Sequence, residues 1–223
     1  NNVETFSNLP HIISGGAAAF SAIGTESSTG TRLVSLSGNA NKKGVFEVPF
    51  GVSVREIIDV LGEGVSGGRA IKMVQIGGAS GSCLPDSMLD IHLDYEVFAR
   101  NGLSMGAGAI IVIDERFDVL EIVRQIMKFF RHESCGKCTP CREGNRQILR
   151  ILYKFISFTA TRQDLALLES ICSVMVQTSF CGLGQAAPTA PRNAARCAPS
   201  PAYRDRARSG HPSSSRGPMR CWR

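Results

Sequence analysis

HESCGKCTPCREGNRQIL, from His132 to Leu149, is the stretch that decides how this chain is read. It sets Cys135, Cys138 and Cys141 at successive spacings of three, so a loop wrapped around one centre can aim all three thiols inward. A cuboidal 4Fe-4S cluster takes one thiolate per iron, and such clusters commonly draw three from a C-x2-C-x2-C run and the fourth from a distant point. Cys181, in FCGLG after 39 intervening residues, is the candidate for the fourth place, and Gly182 and Gly184 would let backbone approach the sulfurs. Cys172 competes, but it shares an apolar face with Leu168, Ile171 and Met175, which suits a buried structural thiol.

A zinc site on four cysteines, serving a non-enzymatic interaction module, is the alternative of another class. It usually splits its ligands two and two, so three plus one fits iron-sulfur better. A redox-active C-x-x-C dithiol would leave a third thiol unexplained. No His follows the second Cys, as covalent haem attachment would require. Lys137, Arg142 and Arg146 flank the thiols. A cube on four thiolates is anionic, so cations there would favour its reduced form; the alternative is solvated helix-end charges, which suits Arg146 more than Lys137, between two of the thiols.

Upstream of this stretch Val119, Ile122, Val123, Ile126, Met127 and Phe130 recur at helical spacing, with Asp118 as N-cap. Downstream, helices are predicted near Arg142 to Phe155 and Gln163 to Val176, the latter capped by Thr161, with Cys181 just beyond. Residues 115–185 therefore read as a small helical bundle. Before residue 115 the period is mixed. LVSLSG (Leu33 to Gly38), a turn, VFEVPF (Val45 to Phe50) and a helical SVREIIDVL (Ser53 to Leu61) make the strand-turn-strand-helix opening of a β-grasp. Runs at Ala70 to Ile76 and Ala109 to Ile113 add strands on either side of the loop GGASGSCLP (Gly77 to Pro85). The expected fold class is α+β: a β-grasp (ubiquitin-like) module over residues 31–114, then the bundle. Residues 8–23 read as one helix broken near Gly15-Gly16, leading into a polar turn at Thr25 to Gly30.

The formal charge of +6 suggests nucleic acid until it is located: residues 191–223 carry eight Arg against one Asp, which leaves the rest of the chain near −1. That tail lacks interleaved aromatics apart from Tyr203 and Trp222, which argues against a nucleic-acid arm. From about Ala186 the composition turns to Ala, Pro, Ser and Arg, so residues 186–223 are expected to be a disordered basic tail; its composition is that of a GC-rich gene read out of frame. With three of eight cysteines inside seven residues, metal binding in a reducing compartment fits better than a disulfide scaffold. No leader and no run of about 18 apolar residues is present, so a cytoplasmic protein without a membrane span is expected. His11, His92, His132 and His211 form no pair at ligand spacing, and Cys83, Cys197 and Cys221 read as free thiols. GGASG reads as a turn, since no strand-to-helix dinucleotide fingerprint surrounds it.

HESCGKCTPCREGNRQIL resembles, nearly letter for letter, the cluster motif of the NADH-binding flavoprotein of respiratory complex I and its soluble relatives. Those relatives include diaphorase subunits of NAD-reducing hydrogenases and β subunits of NAD-dependent formate dehydrogenases. The opening NNVETF, the SLSGN strand and the MGAGAIIV run are similar in the same order, covering residues 1 to about 190. The resemblance implies a 4Fe-4S cluster on Cys135, Cys138, Cys141 and Cys181, beside a flavin mononucleotide that exchanges hydride with NAD. It makes Asn1, Asn2 and Thr5 flavin-side contacts and residues 1–30 the end of a flavin-binding domain with its linker; Glu4 becomes either a charge near the flavin or a helix-capping carboxylate. The family's glycine-rich nucleotide cradle is missing from this sequence, and CGLGQ around Cys181 is closer to the hydrogenase and formate dehydrogenase branch than to complex I. The implied function is single-electron relay between FMN and further clusters in a NAD-linked oxidoreductase complex, a NAD-reducing hydrogenase foremost. Partners would include a small 2Fe-2S subunit or domain.

Overall fold

The computed structural model describes residues 2–197. Asn1, the Cys197 side chain and the segment 198–223 with Cys221 lie outside the described residues. The described chain forms two compact units, one of residues 2–78 and 86–114, the other of residues 79–85 and 115–197. Residues 2–30 thus group with the sheet rather than standing apart, and the loop 79–85 leaves it for the helical unit.

Strands β1 (Thr31–Gly38), β2 (Gly44–Pro49), β3 (Ile71–Ile76), β4 (Ser82–Leu84) and β5 (Ala109–Asp114) follow one another along the chain, and β4 alone belongs to the second unit. In the first unit β1 and β2 pair antiparallel, with Val34 opposite Phe46. β5 lies parallel to β1, with Leu36 opposite Ile110, and β3 is antiparallel to β5, with Val74 opposite Val112. The order β2-β1-β5-β3, with the two central strands parallel, is the β-grasp arrangement expected from sequence. Period two explains β1, which buries Arg32, Val34 and Leu36 and exposes the residues between. β3 instead reads as a continuous buried run from Lys72 to Ile76, as a strand covered on both faces does. Gly38, at φ 83°, ends β1 where a Cβ would fall 2.1 Å from the Val112 carbonyl oxygen; only glycine fits.

Helix α1 (Val3–Gly15) and α2 (Ala17–Ser21) part at Gly16, φ 84°, close to the predicted break, but α1 starts well before residue 8. Glu4 neither caps the helix nor stands free: its Oε1 accepts the Leu33 N–H at 2.8 Å, tying α1 to β1. α3 (Val54–Glu56) runs on into a π-helical turn, Ile57–Leu61, and sinks Val54, Ile57 and Ile58 into the core. Ser53 and Glu56 form the capping box that starts it. Asp94 opens α4 (Tyr95–Arg100), accepting the Glu96 and Val97 N–H groups and the hydroxyls of Ser27 and Thr25. Those hydroxyl bonds first, then the N–H bonds, hold its carboxyl well below the usual carboxylate range.

The second unit consists of α5 (Val119–Glu133), α6 (Thr139–Ile156), α7 (Arg162–Thr178), α8 (Gly182–Ala186) and α9 (Thr189–Cys197). α5 packs on α6 and α6 on α7, while α9 packs on α5 and on β4. Asp118 caps α5, which buries Val119, Val123, Ile126, Met127 and Phe130, five of the six positions of the predicted stripe. α6 begins three residues earlier than the sequence suggested, since Pro140 is tolerated in a first turn that lacks intrahelical N–H partners. α7 starts on the Thr161–Asp164 capping box. The expected disordered tail begins too early at 186: α9 continues to Cys197, and Ala187, Ala190 and Ala194 are buried. Among the described residues no helix is long and apolar enough to cross a membrane.

Candidate metal centre

Three of the four predicted ligands lie at two helix starts of the second unit, and the fourth, Cys135, lies in the turn between α5 and α6. Cys138 is the residue before α6, Cys141 sits in its first turn, and Cys181 is the residue before α8. Cys141 is therefore on a helix and not in a free loop. Cys138 and Cys141 are only 8% and 5% exposed, whereas Cys135 and Cys181 face solvent.

Backbone donors join the two starts. The Phe180 N–H donates to the Cys138 sulfur, as do the N–H groups of Cys141 and Cys138 itself, and with Arg142 nearby they hold this thiol below its usual range. The helix-start position adds to this, because its N–H groups favour negative charge. A Cβ at Gly184 would fall 2.9 Å from the Cys141 Cβ and 2.7 Å from the Ser179 side chain, so α8 packs directly on Cys141. A Cβ on Gly182 would meet nothing within 4 Å; of the two glycines singled out in the sequence, only Gly184 permits a close approach.

The turn carrying Cys135 is folded back on α6. Ser134 Oγ lies 3.3 Å from Cys141 Sγ and accepts the Gly136 N–H, and Arg142 donates to the Gly136 carbonyl at 2.6 Å. Arg142 also reaches Glu143 and Thr139, so it pins the turn, while Arg146 pairs with Glu143 at 3.4 Å. Ser134, Gly136, Arg142 and Arg146, with Arg131 and His132, line a cleft of about 430 Å³ beside the turn, three arginines among them.

Two side chains missed by the sequence reading touch the thiols. Asn145, fully buried one turn after Cys141, donates from Nδ2 to its sulfur at 3.5 Å, and Ser134 is the other. The i, i+4 spacing from Cys141 was the available signal. Asn145 Oδ1 and Ser179 Oγ are buried without a hydrogen-bond partner, so polar capacity is left over around Cys141. That donor set suits a group larger than one ion: thiolates, backbone N–H groups and a spare hydroxyl fit a cube whose sulfurs accept hydrogen bonds. Cys172 sits between Leu168 and Met175 on the buried face of α7, where burial pushes its thiol up to about 12. Cys83 is likewise a free buried thiol at about 12. Asn2 and Thr5 lie in the other unit, where Asn2 caps α1 by accepting the Thr5 N–H and hydroxyl, each at 2.9 Å. Asn1 lies outside the described residues.

The architecture and the cysteine-bearing helix starts define an iron-sulfur region. Residues 121–198 match the family described as the NADH-ubiquinone oxidoreductase-F iron-sulfur binding region. The NADP-reducing hydrogenase subunit HndC of Solidesulfovibrio fructosivorans is 43% identical over 84% of this chain and 38% of its own length. An NADH-quinone oxidoreductase subunit of Rhizobium meliloti is 37% identical over 84% of this chain and 44% of its own. A crystal structure of a NAD+-reducing [NiFe]-hydrogenase in the H2-reduced state superposes with a TM-score of 0.77 at 35% identity, over 88% of this chain and 32% of that one. Over most of its own length the chain is similar to these oxidoreductase subunits, and it spans under half the length of the curated relatives it matches.

Proposed function

We propose that Cys135, Cys138, Cys141 and Cys181 hold one 4Fe-4S cluster, and that the chain relays single electrons between a flavin mononucleotide and further iron-sulfur centres of a NAD-linked hydrogenase. The observation that carries this is the packing of α8 on the helical thiol of Cys141: a Cβ at Gly184 would fall 2.9 Å from the Cys141 Cβ. Among the described residues no three His, Cys, Asp or Glu side chains converge as they would around a single ion. A zinc tetrathiolate needs such convergence, with each sulfur about 2.3 Å from one centre, whereas a cube gives each thiolate its own iron and spreads the sulfurs apart.

Bound there, the cluster would supply one-electron transfer. The chain's own residues do the rest. Backbone N–H groups hold the Cys138 thiol below its usual range, in the direction of the ligating thiolate. Arg142 clamps the turn of Cys135 to α6, and the arginine-lined cleft favours an anionic centre. Hydride exchange with NAD belongs to the flavin, with Asn1, Asn2 and Thr5 as its contacts by family resemblance. The complete assembly would be cytoplasmic and would include a 2Fe-2S subunit or domain. The hydrogenase branch is preferred over formate dehydrogenase and complex I because of CGLGQ around Cys181.

The test is anaerobic purification followed by iron, labile sulfide and zinc analysis and a visible spectrum. Brown protein with equal iron and sulfide, about four of each per chain, supports the reading. A colourless protein with one zinc replaces it with a zinc-stabilised interaction module.

A further inference from the structure

We propose that Asn145 and Ser134 are positioning residues that raise the reduction potential of the cluster by donating hydrogen bonds to the sulfur of Cys141. This rests on the reading of Cys141 as a ligand. Asn145 is buried in α6 with no exposed surface, between Cys141 and the apolar pair Ile148 and Leu149. Its Nδ2 donates to Cys141 Sγ at 3.5 Å, while its Oδ1 finds no partner.

A half-satisfied buried amide is a standing cost to the fold, and an apolar side chain of similar volume would remove it. Helix packing therefore does not explain Asn145; the contact with sulfur does. The second contact is set by chemistry as well. Ser134 Oγ lies 3.3 Å from the same sulfur, and either atom could donate while the cysteine is a thiol. A ligating thiolate has no proton, so the serine hydroxyl must then be the donor. Reduction adds one negative charge to a cube that is already anionic, and part of it resides on the ligand sulfurs. Two donors aimed at one sulfur stabilise the reduced state more than the oxidised one.

The experiment uses the whole 223-residue chain, reconstituted with iron and sulfide, as wild type, Asn145→Leu, Ser134→Ala and the double variant. Potentiometric titration with dithionite is followed by electron paramagnetic resonance. At a fixed potential the reduced-to-oxidised ratio should fall roughly threefold to tenfold in each single variant and further in the double, with iron and sulfide unchanged. The melting temperature of Asn145→Leu should not fall. An unchanged potential in fully loaded variants overturns the proposal. If Asn145→Leu fails to load, wild type grown on asparagine labelled with nitrogen-15 in its side chain decides: pulsed resonance of the reduced cluster should show coupling to that nitrogen. Absence of coupling overturns the proposal too. A wild-type chain that takes up no iron overturns the proposed function first, and this inference with it.

Discussion

The sheet unit and the helical unit solve the problem of buried polar groups in opposite ways. In the sheet unit, Asp94 is buried with four donors around it, and Arg32, 4% exposed, donates to the Tyr95 hydroxyl and the Gly106 carbonyl while its guanidinium lies 5.5 Å over the Tyr95 ring. Among the described residues of the helical unit three buried side-chain atoms have no partner: Asn145 Oδ1, Ser179 Oγ and Asn193 Nδ2. Two of these three belong to residues packed around Cys141. An unpaired buried polar atom costs about 1–3 kcal/mol. The contrast is that of a unit satisfied by its own side chains and one arranged around something else.

The strongest way to break that comparison is to remove the metal. Chelation, or Cys181→Ala, should loosen the helical unit while the sheet unit keeps its protection, because a cluster on the four proposed ligands would tie the start of α6 to the start of α8. Amide hydrogen exchange in α5 to α8 should accelerate by the equivalent of about 3 kcal/mol or more, with β1, β3 and β5 unchanged. Cys181→Ala should also yield a three-iron species by electron paramagnetic resonance. Equal loosening of both units would show that the metal is not what distinguishes them.

The next largest effect lies in the sheet unit. Ile110 is fully buried near the start of β5, opposite Leu36 and Ile76. Ile110→Ala should cost about 2–5 kcal/mol by denaturant unfolding through transfer and cavity terms. Iron content per folded chain should not change. A drop in iron would mean that the units are energetically one.

How far each unit is legible in sequence follows the same divide. β1, β3 and β5 were legible because alternation or a continuous apolar run is a local signal, and the thiols were legible because their spacing is. The start of α6 was not: Gly136 and Pro140 look like loop residues, although proline in a first turn is compatible with helix. α9 was lost because its buried residues are small. Ala190 and Ala194 stand one turn apart, but alanines among Pro and Arg carry too little hydropathy to register against a tail composition. Glu4 bonding Leu33 is a tertiary fact with no composition signal, whereas Asn145 meeting Cys141 is an i, i+4 contact within α6 whose only signal is that spacing.

Two glycines sharpen the comparison at smaller scale. Gly184→Ala drives a methyl into Ser179 and Cys141 and should cost about 1–3 kcal/mol by overpacking, with reduced cluster yield. Gly182→Ala has open space and should retain full iron. If both load equally well, α8 is free to shift and the close approach at Cys141 is not required.

The smallest expected effect separates ordinary helix chemistry from metal chemistry within the helical unit. Asp164 caps α7 through Thr161, and its Oδ1 accepts from Lys154 at 2.6 Å. The Lys154 bond first, then the Thr161 backbone and hydroxyl bonds, hold its carboxyl down to about 2. An unperturbed aspartate titrates near 3.9, so the folded state prefers the charged form more than the unfolded state does. Its contribution is therefore fully present above about pH 4 and disappears as pH falls through about 2. Asp164→Asn should lower stability by about 1 kcal/mol at neutral pH, the typical worth of such a cap, and by progressively less below pH 4. Acid also protonates thiolates and releases a cluster, so the measurement belongs on iron-free protein, comparing the two chains' unfolding from pH 7 to pH 2. Convergence of the two curves at low pH supports the cap as an independent local device. A constant gap across the range would mean that the loss comes from packing around residue 164 and not from its charge.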